Sequence, residues 1–94
     1  MENISREYDA VVECLADRAR LIKRDNKNWD TERCIRQAID DGFYYYDDKA
    51  YVLAWSYLNG LFKWGEEVCW DEIEENLVDD ISNELLKEKD NQND

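Results

Sequence analysis

The stretch from Phe43 to Trp70 constrains this chain most, because it holds ten of the twelve aromatic residues. Its middle, DDKAYVLAWSYLNGLFKW, predicts a single helix over about 48–63. At about 100° per residue, Tyr51, Trp55, Leu58 and Phe62 share one narrow stripe. Ala50, Leu53, Ala54, Tyr57, Leu61 and Trp64 cover the other side, leaving Lys49, Ser56, Asn59 and Lys63 as the polar strip. A helix that is apolar nearly all round is expected to be enclosed by the rest of the protein. The expected fold is therefore all-α, a compact single-domain bundle of about four helices around this central aromatic-rich segment.

The flanking segments fit that plan. There is no proline, and glycine occurs only at 42, 60 and 65, which favours uninterrupted helices. Residues 3–24 repeat Ile4, Tyr8, Val11, Val12, Leu15, Ala19 and Ile22 at spacings of three and four, with Asn3 or Ser5 as the expected cap. A polar loop at 25–30 carries Trp29, which is expected to fold back onto the core. Residues 31–41 predict a short second helix capped by Asp30 or Asn28, with Gly42 as the residue that ends it. The last helix, about 70–87, turns Trp70, Ile73, Leu77, Ile81 and Leu85 inward. The domain is expected to span 1–88 and to be followed by a disordered polar tail at 89–94.

Charge is placed unevenly. Residues 1–36 carry eight basic and eight acidic side chains, whereas 37–94 carry four basic and sixteen acidic, so the whole net charge of −12 belongs to the second part. Such a surface repels phosphates and anionic lipid and attracts basic partners. Direct nucleic-acid binding is not expected, and no apolar run is long enough to span a membrane. Met1 leads straight into polar sequence, which predicts a cytoplasmic protein without a signal peptide.

Little in the chain suggests chemistry. The three cysteines, Cys14, Cys34 and Cys69, are far apart, and there is no histidine. A zinc site is not expected, nor any other metal or cofactor, since calcium-loop and phosphate-cradling glycine patterns are absent. Acid–base catalysis needs a carboxylate pair in a cleft, while Glu72, Glu75 and Asp79 point away from the apolar stripe of their helix. The expected protein is not an enzyme.

Two surfaces remain as candidates. Phe43–Tyr46 put four rings in a row, too many to bury on one face, so some of Tyr44, Tyr45 and Tyr46 should be exposed as contact area. Asp71, Glu72, Glu75 and Asp79 form an acidic row along the last helix. Neighbours three or four apart on a helix are about 5–6 Å apart at Cβ, a scale comparable with phosphates along a nucleic acid strand. The plain alternative is a solvated helix face. The basic group Arg18, Arg20, Lys23, Arg24, Lys27, Arg33 and Arg36 is expected to face the acidic helix, within the fold or in a neighbouring copy.

In size, charge and expected helical content the chain resembles small acidic proteins of phages and other mobile elements. Some of those block host defence enzymes, at times by imitating DNA. Bacteriocin immunity proteins are similar in the same respects. The resemblance rests on composition and length and assigns no role to any residue. Together with the acidic row it leads to the expectation of an inhibitor that docks on a basic partner, such as a nuclease or another nucleic-acid-binding protein. The alternative expectation is a helical interaction module or homodimer that pairs through aromatic surface, its charge serving solubility.

Overall fold

A computed structural model describes residues 4–63 and 65–92, with side chains as far as Lys87. Among the described residues the chain is all-helical, with α1 (Ile4–Asp25), α2 (Thr31–Tyr45), α3 (Asp48–Leu58) and α4 (Trp70–Gln92). The four helices form a bundle, as the periodicity predicts. Its middle is a different helix from the one expected.

α1 is the central element, packing against α2, α3 and α4, while α2 also touches α3 and α4. The reason lies in the width of its apolar face. Tyr8, Val11, Val12, Leu15, Ala16 and Ala19 are all buried. At about 100° per residue they span an arc of about 140°, wide enough to serve more than one neighbour. The aromatic helix α3 buries only Val52 and Ser56, a single line four residues apart. Tyr51 and Leu58, expected on its inward stripe, are exposed. α3 therefore covers the core from outside and is not enclosed by it. Its main inward ring, Trp55, lies flat on Tyr8 of α1, with centroids 3.9 Å apart and planes 8° from parallel. The core is completed by Cys34, Ile35, Ala38 and Ile39 of α2 and by Ile73, Leu77, Val78 and Ile81 of α4.

Helix ends explain two further departures. α2 runs through Gly42 to Tyr45. A Cβ at Gly42 would lie 2.8 Å from both Leu15 Cδ2 and Asp48 Oδ2. Glycine is thus used here for close approach to α1 and to the start of α3, and it does not end a helix. The terminating glycine is Gly60, in the left-handed region at φ +77°. Its N–H donates to Tyr57 O at 3.1 Å, and the Leu61 N–H donates to Ser56 O at 2.9 Å. These are the two bonds of a Schellman cap, so α3 stops at Leu58 although apolar periodicity continues to Trp64. At the other end of the chain α4 runs to Gln92, so the backbone of 89–92, expected as tail, is helical.

The α1–α2 connection is held by local bonds. Asn26 Nδ2 donates to Ile22 O at 3.0 Å, and Lys23 Nζ donates to the carbonyl of Trp29. Asp30 caps α2, accepting from the Arg33 N–H at 2.8 Å. Trp29 packs against the core, as expected, under the Arg33 guanidinium at 3.9 Å from the ring centroid. Asn3, one of the two expected caps of α1, and Trp64 lie outside the described residues.

Candidate partner-binding surface

The four-aromatic run closes α2 and turns into α3. Phe43 is half-buried, whereas Tyr44, Tyr45 and Tyr46 are 81%, 70% and 57% exposed. All three tyrosines of the run are thus exposed at one corner, where the crowding of the run leads to the expectation of some. Tyr44 and Tyr45 meet edge to face at 4.7 Å. Tyr46 is held back on the fold by Arg18, whose guanidinium donates to its hydroxyl at 3.3 Å and sits 5.3 Å from its ring centroid. Tyr44 and Tyr45 are therefore the rings presented outward, and Tyr46 is a strut between the corner and α1.

The corner is joined to α4. Phe43 packs its ring edge-on against Trp70, the first residue of α4, at 6.2 Å, and Lys49 Nζ lies 4.5 Å from the same indole. Asp71 and Glu72 follow directly and are exposed, as are Glu75 and Asp79. The aromatic and acidic candidates at the start of α4 thus lie at the same end of the molecule. Asp79 is eight residues beyond Asp71, or about 12 Å along the helix.

Glu75 differs from the rest of the row. Arg36 of α2 donates to Glu74 at 2.5 Å and to Glu75 at 2.6 Å, with Glu32 at 3.5 Å. The hydrogen bond with Glu75 raises the Arg36 pKa further. Arg36 thus realises, for one residue, the expected contact between the basic group and the acidic helix. Most of the other basic side chains are engaged elsewhere: Arg20 pairs with Asp17, Arg24 with Asp25, Arg18 with Tyr46 and Lys23 with the Trp29 carbonyl, while Arg33 lies over Trp29. Beneath the corner, burial pushes the Asp48 carboxyl up, Arg18 opposes the shift, and neighbouring Asp47 adds to it.

Two other features escape sequence reasoning. One is a cavity of about 500 Å³ lined by Tyr8, Trp55, Asp80 and Glu84 among others. In it the Tyr8 hydroxyl donates to Asp80 Oδ2 at 2.5 Å. The partners are 72 positions apart, and no local pattern signals such a pair. The other is an open groove of about 820 Å³ along the outer side of α3, lined almost wholly by apolar side chains. Its signal was present in the all-round apolar pattern of 50–64, which reads equally as a buried helix or as one with an uncovered face.

No three His, Cys, Asp or Glu side chains among the described residues are grouped to hold a metal ion. No described helix is long and apolar enough to cross a membrane. Compared with protein-family models, curated proteins and solved structures, the chain matches none.

Proposed function

We propose that this chain is a non-enzymatic binding protein that docks on a basic, nucleic-acid-binding protein and blocks its working surface. The contact would be formed by Tyr44 and Tyr45 together with Asp71, Glu72 and Asp79, and Glu75 would contribute charge while tied to Arg36. The observation that carries this reading is the Phe43–Trp70 contact, which joins the end of α2, where the tyrosines follow, to the first residue of α4, where the acidic row follows. Tyrosine is favoured in interfaces because it offers a large, rigid ring with a polar tip. Carboxylates around such rings select a cationic partner and speed its approach. A mobile-element blocker of a host nuclease, or an immunity-type protein, is the form of this activity that the chain resembles in size and charge. The acids would then stand where a nucleic acid's phosphates stand on the partner.

The test compares wild type with an Asp71→Asn, Glu72→Gln, Asp79→Asn variant. Glu75 is left in place because its loss would also break one of the ion pairs that join Arg36 of α2 to α4. Partners captured from the host cell are quantified at two salt concentrations. The reading predicts a basic nucleic-acid-binding protein whose capture falls on neutralisation and weakens with salt. Unchanged capture at both salts would remove the acidic row from the mechanism. A salt-insensitive mass of two chains would favour a homodimer instead.

A further inference from the structure

The groove along α3 has no role in the contact just described, and its chemistry is different. One wall is α3, through Leu53, Ala54, Tyr57 and Leu58, and the other is the following segment, through Phe62 and Val68. The second wall owes its course to Gly60 and Gly65, both in the left-handed region at φ +77° and +89°. Leu58 is 64% exposed and Tyr57 42% exposed on this surface. An apolar trough of this kind is a surface on which a partner's apolar side chains can bury area.

We infer that the α3 groove receives an amphipathic helix of the protein partner, with an apolar stripe inward and lysine or arginine on its flanks. The dimensions fit: α3 has eleven residues and runs about 16 Å, the length of about three turns of a second helix laid beside it. Ala50 and Ala54, one turn apart on the wall, leave room for that helix to come close. Charge selects the occupant. The lining has one charged residue, Glu66; exposed Glu67, Lys63 and Lys49 are next to lining residues in sequence and balance it locally, so the selecting field is that of the chain as a whole, which carries −12. A second copy would bring a further −12 and set acid against acid, whereas a cationic helix gains attraction from the same field. The inference rests on the proposed function for the sign of the partner's charge, but uses different residues.

The probe is a side-chain-stapled peptide of about 12 residues, with leucine at helical spacing and lysine elsewhere. Its binding is measured by fluorescence anisotropy. Controls are the same composition scrambled to break the stripe, and protein variants Leu58→Glu, Ala50→Glu and Tyr44→Ser/Tyr45→Ser. Both glutamate sites are exposed, and circular dichroism checks that the helices persist. Leu58→Glu is decisive because it adds attractive charge while removing apolar contact. The inference predicts binding of the striped peptide, weakened at least about tenfold by Leu58→Glu, by Ala50→Glu and by scrambling. Tyr44→Ser/Tyr45→Ser should leave it unchanged, since that pair belongs to the other surface. No binding, equal binding of the scrambled peptide, or equal or tighter binding to Leu58→Glu would overturn the inference. So would a wild-type dimer that Leu58→Glu dissociates, which would make a second copy the occupant. Those results would leave the tyrosine and acidic contact to stand or fall on its own variants.

Discussion

Replacing Tyr8 by phenylalanine removes one hydroxyl and keeps the ring, so it isolates the buried contact that joins α1 to α4. Tyr8 is 3% exposed, stacks on Trp55 and donates to Asp80 Oδ2 at 2.5 Å. A hydrogen bond to a charged group contributes about 1.5–3 kcal/mol. Asp80 is only half-buried, borders the open cavity and also faces Asn76 Nδ2 at 3.4 Å, so it recovers part of what it loses. The expected cost at neutral pH is therefore about 1–2 kcal/mol, in the lower part of that range. Alkaline pH changes the comparison. Burial first, and then the bond to Asp80, raise the Tyr8 pKa far above its ordinary value of 10.0. Above pH 10 the unfolded chain releases this proton and the folded chain keeps it. The unfolded state then binds fewer protons, and wild-type stability must fall as pH rises. For one such group the loss is about 1.4 kcal/mol at pH 11. Phenylalanine has no proton to release. The advantage of wild type should thus be full below pH 10 and vanish near pH 11. Urea melts of both proteins at pH 7, 9, 10 and 11 measure the difference, in which other titrating groups cancel. Equal stability at pH 7, or a constant difference through pH 11, would refute the assignment of Tyr8 as a buried donor.

Two other substitutions test the packing. Ser56 is 1% exposed and its hydroxyl has no hydrogen-bond partner among the described residues, so Ser56→Ala should stabilise the fold by about 1 kcal/mol in a thermal melt. Gly42→Ala sets a helix-propensity gain of about 1 kcal/mol against overpacking of about 1–3 kcal/mol. With Leu15 and Asp48 each 2.8 Å from the new Cβ, overpacking should win, with a net loss of about 1 kcal/mol by urea melt.

The parts of the fold legible in the sequence are those where one helix carries its own signal. α1 and α4 follow their apolar repeats, and Asp30 caps α2 as a local pattern predicts. What was not legible depends on which helix meets which. The richness of 43–70 in large rings suggests a centre, but burial width decides it, and the small residues Ala16 and Ala19 make α1 the better neighbour. Gly42 and Gly60 offer the same sequence signal and do opposite jobs, because only the packed structure shows that Gly42 needs space and Gly60 needs a positive φ. On the candidate surface, crowding made it legible that some of Tyr44, Tyr45 and Tyr46 would be exposed, but not which ones or that all three would be. The capture of Tyr46 by Arg18 and of Glu75 by Arg36 was not legible, since these partners are 28 and 39 positions apart.

The most direct measurement of the proposed contact is site-specific photocrosslinking from the tyrosine corner. A benzophenone amino acid replaces Tyr44 or Tyr45 in turn, with exposed Lys27 in the α1–α2 connection as control position. The protein is irradiated in host cells, and the adducts are identified by mass spectrometry. The account predicts one basic, nucleic-acid-binding protein attached at Tyr44 and at Tyr45, absent at Lys27, and lost when Asp71, Glu72 and Asp79 are neutralised. Adducts with a second copy of this chain, or the same adducts from Lys27, would contradict it.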